Sequence, residues 1–324
     1  MDDDVSQLAS DMTDIDVLCV GPIVLDVLGK SIDEVPEWDR VGTFDTLEYH
    51  VGGCASNTAV DLSVLGLKTS VAGCLGRDTA GDFVRRDLGK LNIDLSGLIS
   101  SSDIATSFTF IMIKSDGRRR FLHHVGSSAH FREEHVTDEL LRRSRILNIG
   151  GAFVMPALDG DPTARLLKRA KDLGLVTSLD TAYNPSVDSR RLIEPCLPYL
   201  DIFLPSFEEA QAISGLSDPD TILDYFSDHD FQVLGVKLGT DGCILQSAGC
   251  RYRFPIFNVN SVDNSGAGDA FLAGFLYGWQ LGWDIEKTGR FACATAAHCV
   301  QAIGCTAGIR SADETLKFMK EYRY

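Results

Sequence analysis

Residues 261–275 read SVDNSGAGDAFLAGF: small residues between two aspartates, leading directly into an apolar helical pattern. The N–H groups at a helix start have no partner within the helix, and the helix dipole favours negative charge beside them. Gly266, Ala267 and Gly268 have no side chain large enough to keep a phosphate away from such amides. Asp269, in the first turn, would then accept a proton from a hydroxyl held beside that phosphate. A carboxylate so placed is expected to have a low pKa, because the same dipole stabilises its charge. The competing reading of GAGD is an ordinary helix start whose aspartate complements the dipole.

Either reading needs a scaffold. Short β-branched runs alternate with helical patterns over nearly the whole length. IDVLCVG (15–21), TSVAGCLG (69–76), RILNIGG (145–151), LVTSLDT (175–181), LDIFLP (200–205) and FQVLGVKLG (231–239) read as strands. CASNTAVDLSVLGL (54–67) reads as a helix ending at Gly66, and TAGDFVRRDLGKL (79–91) as one stopping near Gly89. Further helical patterns are PTARLLKRAKDLG (162–174), FEEAQAIS (207–214), IEKTGRFACATAAHCVQAIG (285–304) and ADETLKFM (312–319). Strands separated by such helices form parallel βαβ units, and ligands bind beyond the C-terminal ends of their strands. Residues 28–51 and 104–124 break the alternation. Within the second, IKSDGRRRF places Asp-Gly between two alternating runs, a hairpin signal. The two stretches are expected to form a small β-sheet lid outside the main sheet. The chain thus divides into an acidic, disordered tail over 1–14 and a single domain over 15–324.

Composition narrows the partners. Thirty basic against 46 acidic residues leave a formal net charge of −16, which repels phosphate backbones and anionic lipid. Nucleic acid and membrane are therefore not expected partners. The N-terminus MDDDVSQLASDMTD has no basic region and does not read as a signal peptide. Nine cysteines without a C-x-x-C pair point to reduced thiols in a cytoplasm rather than a disulfide or zinc scaffold. Cys293, Cys299 and Cys305 recur every six residues, as small core-facing residues of a helix would. A dinucleotide oxidoreductase would want G-x-G-x-x-G after the first strand, and VGPIVLDVLG lacks it.

The block YHVGGCASNTAVDLSVLGLKTSVAGCLGRDTAGDFV (49–84) and the block DNSGAGDAFLAGFL (263–276) resemble, in order, the two signatures of the PfkB/ribokinase family of sugar and nucleoside kinases. VGPIVLDVLG, FLPSFEEA, VKLGTDGC and AIGCTAGIRS extend the resemblance over roughly residues 15–315. The resemblance implies an α/β, ribokinase-like three-layer sandwich with a central, mostly parallel sheet and a small β-sheet lid, through which two copies pair. It implies an ATP-dependent phosphotransferase acting on a hydroxymethyl group of a ribose- or fructose-like sugar, with Mg2+ and K+ as further cofactors.

Carried over by position, Asp269 resembles the catalytic base, and the amides of Gly266, Ala267 and Gly268 the anion hole. Asp26, expected at the end of the first strand, with Gly52, Gly53 and Asn57, resembles the sugar-binding set. Lys237, Gly239 and Gly242 resemble the loop touching the nucleotide phosphates. Glu209 resembles the glutamate that organises Mg2+ through water, although the family's preceding asparagine is Ser206 here. Asp263, Ser265, Ala302 and Gly304 resemble the monovalent-cation loop, with Gly308 where a serine ligand is common. Asn264 replaces a threonine of the second signature, and Cys293 an asparagine near the adenine.

Arg118, Arg119 and Arg120 at the hairpin tip read either as solvated charge or as an offset to a nearby negative field. His123 and His124 alternate on a strand, so at most one faces the acceptor. A nucleoside acceptor is the alternative, its base resting on Phe108, Phe110 or Phe121. A catalytically silent sugar-binding protein is the other, which intact GAGD argues against.

Overall fold

The computed structural model describes residues 13–322, so most of the acidic tail expected at 1–14 lies outside the described residues. Along the chain the strands are β1 (Ile15–Val20), β2 (Val24–Lys30), β3 (Thr46–Gly52), β4 (Thr69–Gly76), β5 (Ile93–Ser101), β6 (Ser107–Ile113), β7 (Arg119–His124), β8 (Ser144–Ala152), β9 (Val176–Thr181), β10 (Ile202–Phe203), β11 (Val233–Lys237), β12 (Cys243–Ser247) and β13 (Cys250–Phe254). The helices are α1 (Cys54–Leu65), α2 (Thr79–Leu88), α3 (Asp138–Arg142), α4 (Asp161–Asp172), α5 (Ser189–Ile193), α6 (Phe207–Ser214), α7 (Pro219–Phe226), α8 (Ala267–Gln280), α9 (Ile285–Cys299) and α10 (Ala312–Glu321).

Nine strands form one sheet in the order β13-β12-β11-β10-β9-β8-β1-β4-β5. From β11 to β5 the neighbours are parallel, and β12 and β13 close one edge antiparallel. The central strands read as nearly unbroken apolar runs because helices cover both faces. On one face, Leu147, Ile149, Phe203 and Leu234 pack with α4, α6 and α7. On the other, Val17, Cys19, Val71 and Val233 pack with α1, α8 and α9. Among the described residues no helix is long and apolar enough to cross a membrane.

Four strands form a second sheet in the order β3-β2-β6-β7. β2 is antiparallel to β3 and parallel to β6, and β6 turns into β7 through Asp116-Gly117, as the hairpin signal predicts. This lid begins at Val24, earlier than the sequence suggested. Pro22 has no N–H to continue a ladder, so the chain leaves the main sheet after β1 and re-enters pairing in the lid. Asp26 consequently sits inside the lid's β2 rather than at the end of the first strand.

The helical pattern expected to reach residue 304 stops at Cys299, and residues 300–305 fold back toward Asp263. Cys293 and Cys299 are buried on α9, whereas Cys305 belongs to this returning loop. All nine cysteines are unpaired.

Candidate active site

Gly266 caps α8 with φ at +76°. A Cβ there would collide with the backbone carbonyl of Cys305, so only glycine fits this turn. The Ala267 amide bonds the Asn264 carbonyl at 3.3 Å within the turn. Asp269 lies in the first turn of α8 and is buried. Its Oδ2 accepts the Asn57 side-chain N–H at 2.8 Å, which ties α8 to α1. Burial, then the charge of Asp180, push the Asp269 carboxyl up to about 7 against the opposing help of Asn57, Lys237 and the Cys54 thiol. The low pKa expected of a helix start is therefore corrected: desolvation and a second carboxylate outweigh the dipole.

That second carboxylate stands at the C-terminal end of β9. Asp180 Oδ1 lies 2.7 Å from Lys237 Nζ, which closes β11. A Cβ on Gly268 would sit 3.4 Å from the same Nζ, so the ammonium looks at the start of α8. Burial would lower Lys237, but Asp180, Glu209 and Asp269 outweigh it and raise its pKa. One ammonium serves three acids, so burial still lifts Asp180 above the ordinary carboxylate range.

Glu209 is held by α6. Its Oε2 accepts the Ser206 amide and the Thr181 hydroxyl, each at 2.8 Å, and the Ser206 hydroxyl accepts the Glu209 amide at 3.4 Å. Ser206 is thus a capping residue of α6, which accounts for serine at that position. Lys237, Gly239, Gly242, Glu209, Asp180, Cys293 and residues 266–269 line one cleft of about 510 Å³. Cys293 brings its Sγ within 3.9 Å of Cys243 Sγ there. Asn264 lines the same cleft and accepts the Ser261 hydroxyl at 2.6 Å.

The lid supplies the other side. Asp26 pairs in register with His50 on β3 and Thr109 on β6, and Thr109 pairs with His123 on β7. These four residues form a polar row on one lid face, with Thr109 Oγ1 3.0 Å from His123 Nδ1. The same face carries Leu28, Ile111 and Ile113 against Ile303 of the returning loop. Burial pushes Asp26 up to about 6, opposed by a hydrogen bond from Thr109 and by His50. Gly52 lies directly over this carboxylate, where a Cβ would overlap it. Gly53 then caps α1, which carries Asn57. Phe108 and Phe110 alternate onto the opposite lid face, while Phe121 shares the face of Asp26.

Asp263 opens the turn that leads into α8. Its Oδ1 accepts the Ser265 amide at 2.8 Å and its Oδ2 the Gly304 amide at 2.8 Å. Arg119 of β7 forms an ion pair with Oδ1 and also donates to the Ser265 hydroxyl at 2.7 Å. The carbonyls of Ser265 and Cys305 accept the Cys299 thiol at 3.4 and 3.1 Å. Ala302 and Gly304 lie in the same returning loop, and Gly308 fits closely against the end of α9, where a Cβ would meet the His298 and Cys299 carbonyls. With its charge neutralised by Arg119, this loop does not fit a potassium ion.

The structure thus joins Asp269, the 266–268 turn, Lys237, Gly239, Gly242 and Glu209 in one cleft, and links Asn57 to Asp269. Asp26, Gly52 and Gly53 gather on the lid side instead. Arg119, read with Arg118 and Arg120 as either solvated charge or an offset to a nearby negative field, takes the second role against Asp263, while Asp180 and Cys54 were not singled out. Asp180 had a signal, since it lies at the C-terminal end of a parallel strand; nothing in the sequence set Arg119 apart from Arg118 and Arg120. Among the described residues no group of His, Cys, Asp or Glu forms a metal cluster.

A nine-stranded, mostly parallel sheet between two helical layers, with a four-stranded lid after its first strand, is the ribokinase-like fold. Residues 14–312 match the family model for pfkB family carbohydrate kinases, and the chain belongs to that family. A nucleoside kinase of Methanothermobacter thermautotrophicus is 27% identical over 319 residues, covering 96% of this chain and 98% of its own. An ATP-dependent ribose-1-phosphate kinase of Halopiger xanaduensis is 27% identical over 309 residues, covering 94% and 98%. The structure of Arabidopsis thaliana ribokinase complexed with ribose and ATP matches with a TM-score of 0.82 at 24% identity, covering 94% of this chain and 99% of the other. The protein is a sugar or nucleoside kinase.

Proposed function

We propose that this kinase transfers the γ-phosphoryl group of ATP to a hydroxymethyl group of a small, ribose- or fructose-like sugar. The observation that carries the reading is the position of Asp269: buried, beside the start of α8, and tied through Asn57 to the helix that follows the lid's Gly52. In the step, the acceptor oxygen bonds to the γ-phosphorus, the bond from that phosphorus to the ADP oxygen breaks, and Asp269 takes the hydroxyl proton. Phosphoryl transfer needs positioning and charge stabilisation more than a strong base. The 266–268 turn would receive the transferring oxygens, with Lys237 beside it, and Gly239 and Gly242 the remaining phosphates.

Asp180 and Glu209 line the cleft with more carboxylate than Lys237 can balance, a donor set suited to a hard cation. Glu209 would hold Mg2+ through water, where the ion would offset phosphate charge. Asp26, His50, Thr109 and His123 would grip acceptor hydroxyls. The two sheets are read as one kinase domain, and exposed Tyr49 and Leu122, at the two edges of one lid face, support pairing of two copies through the lid.

A nucleoside acceptor is the second reading. Phe121, exposed on the face of Asp26, favours it, as does the nucleoside kinase relative. ADP release with ATP and Mg2+ over a panel of ribose, fructose, ribose 1-phosphate and nucleosides tests both. Selective turnover of one free sugar is expected. Selective turnover of a nucleoside would replace the first reading with the second, and sugar binding without ADP from any acceptor would overturn both.

A further inference from the structure

The lid and the catalytic turn meet through one buried ion pair. Arg119 opens β7 and comes 144 positions before Asp263, yet its side chain is only 15% exposed and the Asp263 side chain 1%. Its neighbour Arg118 behaves differently: it is 74% exposed and bonds Asp116 within the hairpin turn. Arg119 alone reaches inward. Asp263 faces the Arg119 guanidinium on one side and accepts the amides of Ser265 and Gly304 on the other, and these amides tie the 263–266 turn to the returning loop.

A buried carboxylate in this position needs a positive charge. We propose that the Arg119 guanidinium is that charge, a fixed cation supplied by the lid, and that the kinase consequently works without a monovalent metal ion. A potassium ion entering the loop would place two positive charges against one carboxylate at low dielectric. Arg119 acts through Asp263 on the turn that carries Gly266–Gly268; it is a positioning residue. Because it rides on the lid, the turn is fully organised only while the hairpin is seated.

This inference rests on the kinase reading for its activity arm and has a second arm that does not. In the first arm, turnover of the acceptor found in the panel is measured at equal ionic strength in potassium, sodium, lithium and tetramethylammonium chloride. The wild-type protein should vary within about twofold, as screening alone allows. Arg119→Ala in tetramethylammonium should lose at least about tenfold, the order expected when one partner of a buried charge pair is removed. It should recover selectively in the metal salt whose radius suits the vacated space, and Arg119→Lys should keep most activity in every salt. In the second arm, the melting temperature of the protein alone is followed in the same salts. The wild type should not distinguish potassium from tetramethylammonium, whereas Arg119→Ala should.

Selective activation or stabilisation of the wild type by potassium would overturn the proposal. So would Arg119→Ala with full activity in tetramethylammonium, or with a loss that no metal salt relieves. Should Arg119→Ala not fold, a potassium requirement in Arg119→Lys would overturn it equally. If no acceptor gives ADP, the kinase reading fails, while the melting arm still decides the role of Arg119.

Discussion

In the proposed role of base Asp269 must be negative, yet it is buried beside Asp180 and pushed up to about 7. A base with a pKa near the working pH combines a usable anionic fraction with real proton affinity. The pH dependence of kcat/KM should therefore show an ascending limb with its midpoint near pH 7, activity falling as the pH drops below it. A profile flat from about pH 6 to 8 would contradict the assignment. Lys237 lowers the Asp269 carboxyl, so Lys237→Met should move that midpoint upward and raise the KM for ATP. The motif around Asp269 was legible in the sequence, and its pKa was not. Helix position can be read from spacing, but burial and the approach of Asp180 arise only when β9 and α8 converge. Ser206 and Glu209 carry the opposite lesson. Their S-x-x-E spacing is a capping box, readable locally, and it explains a serine standing where the family has asparagine.

Among the elements, the start of α8 is the most constrained. Gly266→Ala would force a side chain into the left-handed region and against the Cys305 carbonyl. Backbone strain of this kind costs about 1–3 kcal/mol. The variant should melt lower and lose more than about tenfold in kcat, because the turn and the returning loop move apart; wild-type kcat and melting would contradict this account of the turn. Elements with strong local patterns were legible to the residue: β4 over 69–76 and α6 over 207–214. The lid was legible in outline only. Its β2 is buried and apolar like a main-sheet strand, and only the break at Pro22 marks the change of sheet. The end of α9 was missed because residues 300–304 keep an apolar pattern while their backbone is recruited by Asp263.

Across the whole molecule, several buried carboxyls share one consequence. Burial raises Asp26 and Asp159 to about 6 and, with Asp180, Asp269 to about 7. Asp61 is raised well above the ordinary range, and neither of its carboxyl oxygens has a hydrogen-bond partner among the described residues. The folded protein keeps protons on these groups that the unfolded chain releases above a pH of about 4. Their contribution is fully present below that pH and is lost as the pH rises through 6 and 7. Asp61→Asn should therefore raise the melting temperature near neutral pH and leave it almost unchanged near pH 4, which a pair of thermal melts would check. The carboxyls held below their ordinary values, such as Asp263, act in the acid range instead. By the same logic, Asp269→Asn should be at least as stable as the wild type at neutral pH, and a thermal melt beside the assay separates lost chemistry from lost fold. That makes it the direct test of the central claim. ADP formation from ATP, Mg2+ and the best acceptor should fall by roughly 10² to 10⁴ in Asp269→Asn, the usual worth of a positioned base. Turnover within a few-fold of wild type in this folded variant would contradict the role given to Asp269 and the mechanism built on it.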